Sequence, residues 1–169
     1  MKTTNLYEHR WLSDAYGEAA LSKHTTQVGA VIVCSNGQVF RACNDESFTP
    51  SLHAEASAID KMIAGNGDPK NAVMFAPWHA CEKCAKRIVE SGIKKIVGHK
   101  EMFECAALVK PEWEETTRKG RILLEENEVV SILLSGTIPA YAIRVSGSFF
   151  RPALIPHTIK DKDDGTQSL

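Results

Sequence analysis

The chain has no apolar run approaching the roughly 20 residues that a membrane-spanning helix needs. Its first ten residues, Met1 to Arg10, contain no apolar core of the kind that marks a secretory signal. These two absences set the expectation of a cytoplasmic protein with no membrane partner. A surplus of either charge is also missing: 20 Lys and Arg stand against 21 Asp and Glu, a formal net charge of −1. Non-specific nucleic-acid binding draws its affinity from a basic surface, so nucleic acid is not expected as a partner. The local cluster of Lys83, Lys86, Arg87, Lys94 and Lys95 reads as a solvated helix face and strand edge. Cysteine is scarce and odd in number, five in all: Cys34, Cys43, Cys81, Cys84 and Cys105. An odd count without a signal argues against a disulfide framework and leaves metal ligation or buried thiols. Repeats and low-complexity tracts are absent.

A length of 169 residues is that of one domain, large enough to bury a core without staples. The expected domain is 1–158, followed by a polar tail at 159–169. Residues 5–22 carry apolar positions at helical spacing, with Asn5 as a possible cap. The β-branched run Val28 to Cys34, the Asn36-Gly37 turn and Gln38 to Ala42 predict a β-hairpin. Asn44 to Leu52 is a polar loop broken by Pro50. His53 to Ala64 predicts a second helix, Ala72 to Ala76 a buried strand, Pro77 to Ala80 a turn, and Cys81 to Ser91 a third helix stopped by Gly92. Ile93 to Val97 is the next strand, Glu112 to Glu126 a fourth helix and Val129 to Leu134 a further strand. The apolar segment 138–154 is not typed by its pattern. Helix–strand alternation of this kind predicts a mixed sheet with helices on its faces, an α/β sandwich. The helix between the last two strands makes them parallel.

Two short motifs carry chemistry: His53-Ala54-Glu55 and Cys81-Glu82-Lys83-Cys84. Each opens a predicted helix. Cysteines three apart at a helix start lie one above the other, so both sulfurs can reach one ion, and helix N-termini favour thiolates. One His and two Cys leave zinc a fourth, open position, the catalytic rather than the structural arrangement. Zinc lowers the pKa of a bound water from 15.7 toward about 7. Glu55, two residues after His53, stands where a proton shuttle is needed. Alone, C-x-x-C also fits a structural zinc knuckle, a redox pair or two core thiols, and H-x-E alone carries little. Together they match the zinc deaminase signature, H-x-E followed by P-C-x-x-C, except that Ala80 stands at the Pro.

The chain resembles the cytidine/deoxycytidylate deaminase superfamily from about Asn5 to Leu134, and within it most resembles the deoxycytidylate deaminases. The likeness lies in Ser22-Lys23 with Thr26 to Val33, in Asn44, in His53 to Ile59, and in Pro77 to Lys86 with Ile88 and Gly92 to Val97. The resemblance implies a three-layer α/β/α sandwich with a mixed central sheet of about five strands. It implies a zinc-dependent hydrolase with Zn2+ on His53, Cys81 and Cys84, catalytic Glu55, and conversion of dCMP to dUMP and ammonia. It further implies a small-molecule nucleotide partner, a homo-oligomer, Asn44 on the sugar or base, the Ala54 backbone on the ring's amide edge, Trp78 as a pocket wall, and Ser22 and Lys23 at the phosphate. The same fold and chemistry also serve guanine, adenine, modified pyrimidines, free cytidine or a base in RNA or single-stranded DNA.

The chain departs from the family at Ala80, where Pro is usual, and at Ser57, where Asn is frequent in deoxycytidylate deaminases. Plainer readings stand beside the functional ones. Asn44 also suits a turn, Trp78 a core, and Ser22-Lys23 a helix end. His79 is expected to be a solvent-facing turn residue. Cys34, Cys43 and Cys105 read as buried thiols, and His9, His24, His99 and His157 as incidental.

Overall fold

The computed structural model describes residues 6–45, 47 and 52–154. Asn5, Pro50, His157 and the expected boundary between 158 and 159 lie outside these. The chain opens with α1 (Leu6–Leu21), whose Leu12, Ala15, Tyr16 and Ala19 form its buried stripe. The spacing of three and four residues is what one helix face requires. The hairpin follows as β1 (Gly29–Val33) and β2 (Val39–Cys43), paired antiparallel from Gly29 opposite Cys43 to Val33 opposite Val39. β1 is buried along its whole length. Ala30 and Ile32 enter one core while Val31 and Val33 enter the other, so its sequence is a continuous apolar run rather than an alternating one.

Next come α2 (Ala54–Ala64), β3 (Val73–Phe75), α3 (Glu82–Ser91) and β4 (Lys95–His99). Gly92 ends α3 at φ +85, a left-handed cap that Gly adopts without a side-chain penalty. The sheet order is β2-β1-β3-β4-β5, with β5 at Val130–Leu134. β1 is antiparallel to β2 and β3, whereas β3, β4 and β5 are mutually parallel. The crossover helices α3 and α5 (Pro111–Glu126) lie on the same side of the sheet, as right-handed connections between parallel strands require. Together with α2 they cover one face, where Ile59, Met62, Ile88 and Leu124 meet Ile32, Met74 and Ile96. The other face carries α1 and α4 (Lys100–Val109), with Leu12, Tyr16, Met102 and Ala106 against Val31, Phe75 and Val97. The expected three-layer sandwich with a mixed five-stranded sheet is the observed one.

Two elements went beyond the sequence pattern. α4 starts directly at the end of β4, with His99 as its first cap, so no loop residues announce it. The predicted fourth helix is therefore the fifth. The untyped segment 138–154 forms a small hairpin of β6 (Ile143–Val145) and β7 (Ser148–Phe150), which packs Ile143, Val145 and Phe150 onto the α1 face. Among the described residues no helix is long and apolar enough to cross a membrane.

Candidate functional site

His53 and Cys81 are the N-cap residues of α2 and α3, both extended, at φ −76 and −70. Neither side chain caps its own helix. Each is free to turn toward the gap between the two helix starts, where Cys84 arrives from the first turn of α3. His53 Nδ1 lies 3.5 Å from Cys81 Sγ and 3.3 Å from Cys84 Sγ. One donor atom from each residue falls within 4.8 Å of the others. Bonds of about 2.3 Å to sulfur and about 2.0–2.1 Å to nitrogen at a tetrahedral centre put N and S about 3.6 Å apart. The three side chains thus already hold the spacing of zinc ligands, and the donor set is the one zinc favours. The group fits a Zn2+ site.

The same crowding shifts the thiols in opposite directions. Cys81 is pushed down to about 4, chiefly because the Cys84 side chain hydrogen-bonds it, with His53 helping and burial opposing. Cys84 is raised, first by that hydrogen bond to Cys81 and then by burial. Thiolate is the metal-binding form, so a divalent cation between the sulfurs would displace any remaining thiol proton. His53 is raised by its hydrogen bond with Cys81.

Glu55 is the second residue of α2, in its first turn, and is 2% exposed. Its Oε2 lies 3.7 Å from Cys84 Sγ. Burial, and then the Cys81 charge, push its carboxyl up to about 7. The carboxyl is next to the ligand group without belonging to it.

His53 and Glu55 form the floor of a cavity of about 190 Å³ whose walls include Asn44, Trp78, Lys110 and Trp113. That is below the roughly 300–1,000 Å³ of pockets for drug-sized ligands and is the scale of a single base. Trp78 is at once core and wall: it is 1% exposed, and its indole Nε1 donates to the Gln27 carbonyl over 3.0 Å. Trp113, from the first turn of α5, meets it edge-on at 5.8 Å between ring centroids. Asn44 lines the cavity, but both ends of its amide are engaged: Oδ1 accepts from Val28 N and Nδ2 donates to the Thr26 carbonyl. These bonds hold the chain where it enters β1. Ala54 is buried as the first residue of α2.

Ser22 is buried, and its Oγ donates to the Asn44 carbonyl while accepting from His24 N. Exposed Lys23 lines an adjoining hollow with Cys43 and Ser47 rather than this cavity. His24, expected to be incidental, lies on the cavity wall. Lys110 and Trp113 were not singled out in the sequence; both come from the corner where α4 meets α5, and α4 had no local signal.

His79 corrects an expectation. It is fully buried rather than solvent-facing, at φ +64, with Nε2 2.6 Å from Ser131 Oγ and its ring edge-on to Phe103. The turn that carries it is roofed by α4 and β5, which a local reading of Pro77 to Ala80 does not reveal. Burial, and then the Arg121 charge, push its pKa down to about 4. His99 is likewise buried, with Tyr16 Oη 2.6 Å from Nδ1 and the Gly136 carbonyl 2.7 Å from Nε2. Among the other cysteines, Cys34 is buried while Cys43 and Cys105 are only partly so.

A sequence profile of the cytidine and deoxycytidylate deaminase zinc-binding region matches residues 6–100, more than half of the chain. The match spans α1 to the end of β4 and contains His53, Glu55, Cys81 and Cys84. Among solved structures, dCMP deaminase from the cyanophage S-TIM5 in apo form is similar over 76% of this chain and 97% of its own, with 21% identity and a TM-score of 0.60. The S-TIM5 dCMP deaminase in complex with dCMP and dUMP gives a TM-score of 0.55 at 19% identity, over 77% of this chain and 96% of that one. A diaminohydroxyphosphoribosylaminopyrimidine deaminase/5-amino-6-(5-phosphoribosylamino)uracil reductase from Thermotoga maritima gives 0.56 at 18% identity, over 75% of this chain and 36% of the larger protein. At these identities the structural likeness is one of fold. Curated protein sequences give no match. By the profile match, the shared fold and the zinc-fitting His/Cys/Cys group, the chain belongs to the cytidine and deoxycytidylate deaminase family.

Proposed function

We propose that the protein deaminates a cytosine nucleotide by zinc-dependent hydrolysis, converting dCMP and water to dUMP and ammonia. One observation carries the reading. A buried carboxylate, Glu55, stands 3.7 Å from Cys84 Sγ on the floor of a base-sized cavity, beside three ligands that leave a metal a fourth position.

His53, Cys81 and Cys84 would hold the zinc, which supplies an acidified water when bound. The remaining work falls to the chain. Trp78, locked by its bond to Gln27, bounds the cavity with Trp113 and limits it to a flat ring. By family likeness, the Ala54 main chain at the start of α2 meets the amide edge of that ring. Asn44 keeps the wall at β1 rigid through its two amide hydrogen bonds, and by family likeness lies beside the sugar or base. Glu55 takes a proton from the attacking water and delivers it to ring N3. As the new C4–O bond forms, C4 becomes tetrahedral. Glu55 then carries the second proton to the amine, the C4–N bond breaks, and ammonia leaves. Burial suits Glu55 to hold and return a proton near neutral pH, and its position beside the ligands supports the role. The partner is a small nucleotide, and a homo-oligomer is part of the proposal by family likeness.

The test is an ammonia-release screen of cytosine, adenine and guanine bases with their nucleosides, monophosphates and triphosphates. dCMP should give the highest kcat/KM. Release from a purine alone, or from no cytosine compound, contradicts the proposal.

A further inference from the structure

We infer that Lys110 is the specificity residue that selects a 5′-monophosphate over the free nucleoside, a role the family likeness would give to Lys23. The inference rests on the nucleotide reading above. Lys110 is the one Lys or Arg among the described residues lining the cavity. It stands over a floor that holds His53 and the carboxylate of Glu55. It makes no ion pair with any described residue, so its charge is available to a ligand.

The corner that carries it is rigid. Lys110 is at once the last cap of α4 and the first cap of α5. Pro111 behind it disfavours helical backbone, and Lys110 accordingly sits at φ −132, ψ 81. Its N–H donates to the Ala106 carbonyl and its own carbonyl accepts from Trp113 N, each over 2.9 Å. The main chain is tied to both helices, which fixes the base of the Lys110 side chain at the cavity wall.

The walls also carry His24 and Asp45, and three other polar groups there are already hydrogen-bonded. Asn44 spends both ends of its amide on the β1 approach. Thr26 Oγ1 accepts from Ser146 N. Trp78 Nε1 is bound to Gln27. Lys23, the rival, lines the adjoining hollow and not this cavity, while Asp45 lines both. The Asp45 carboxyl is held below its usual range first by Ser47 hydrogen bonds, with the Lys23 charge adding to them. A Lys on the cavity wall without an ion pair can give charge-assisted hydrogen bonds to phosphate oxygens.

The experiment compares monophosphates with their nucleosides in the wild-type protein and in Lys110→Ala, Lys110→Arg and Lys23→Ala. kcat/KM is read where there is turnover, and the dissociation constant by calorimetry where there is none. Thermal unfolding confirms that each variant folds. Losing one charged hydrogen bond costs about 10- to 150-fold. Lys110→Ala should lose that factor on dCMP and almost nothing on deoxycytidine. Lys110→Arg should recover most of it, and Lys23→Ala should match the wild type. An equal loss on both substrates, no loss, or the selective loss appearing in Lys23→Ala instead overturns the inference. A protein that prefers another base would overturn the cytosine reading alone, provided its own monophosphate preference falls in Lys110→Ala. A wild-type protein indifferent to phosphate overturns both.

Discussion

Gly120 lies in the middle of α5, where α5 presses on the loop that carries Cys81. A Cβ built there would stand 2.6 Å from the Ala80 carbonyl oxygen, 3.0 Å from the Cys81 carbonyl carbon and 3.1 Å from its oxygen. Carbon–oxygen contacts close at about 3.3–3.6 Å, so the helix and the loop must separate by several tenths of an ångström. The obstructing atoms are all backbone and cannot swing aside. Overpacking costs about 1–3 kcal/mol, and the absence of a movable neighbour places this site in the upper part of that range. Replacing Gly by Ala in a helix returns about 0.8–1.0 kcal/mol. Gly120→Ala should therefore lose about 1–2 kcal/mol net. Gly17 in α1 is the control, since its Cβ would meet nothing within 4 Å. Gly17→Ala should keep the whole helical gain of about 1 kcal/mol. In a domain this size 1 kcal/mol moves Tm by about 2–4 °C, so the same substitution should raise Tm at one site and lower it at the other. Differential scanning calorimetry with saturating zinc and again with a chelator reads both signs, because a ligand of the native state adds its own stabilisation. The Gly120→Ala deficit should be larger with zinc, as the displaced loop holds Cys81. A Gly120→Ala protein as stable as the wild type in both conditions would refute the claim that the close approach of α5 fixes the ligand loop.

Trp78→Phe removes the donor to the buried Gln27 carbonyl, which should cost about 1–3 kcal/mol in denaturant unfolding and lower kcat/KM by loosening the cavity wall; unchanged stability would mean that the bond is not maintained in solution. His99 titrates below its ordinary value of 6.5, because burial outweighs the Gly136 hydrogen bond and the Glu101 carboxylate 3.0 Å away. The unfolded chain then binds a proton at a pH where the folded one does not. His99 stability is thus complete above about pH 6.5 and lost as pH falls through the lower folded value. Unfolding free energies from pH 7 to 5 should fall more steeply in the wild type than in His99→Gln, and parallel slopes would remove His99 as the source.

The ligand group and Glu55 were legible because local spacing encodes them. H-x-E and C-x-x-C each sit at a helix start, and short spacings at a helix start fix the geometry whatever the rest of the chain does. The parallel pairing of β4 with β5 was legible for a similar reason: a helix between two strands admits one orientation. The walls were not legible. Lys110 and Trp113 reach the cavity only through α4 and α5, and α4 follows His99 without a turn residue to mark it. His79 was misread because a Pro-containing turn is ordinarily solvated; here Phe103 and Ser131 cover it. Asn44 shows a subtler limit. Its type and place suit a substrate contact, while its hydrogen bonds to Val28 and Thr26 make it part of the frame.

The central claim is that Glu55 moves protons beside a metal that it does not bind. Its most direct test is ammonia release from dCMP by wild type and Glu55→Gln, with zinc measured on both samples. The account predicts about one zinc per chain in each protein, equimolar ammonia and dUMP from the wild type, and a loss of at least about 10²–10⁴-fold in the variant. A variant that keeps its rate, or one that loses its zinc, contradicts the account.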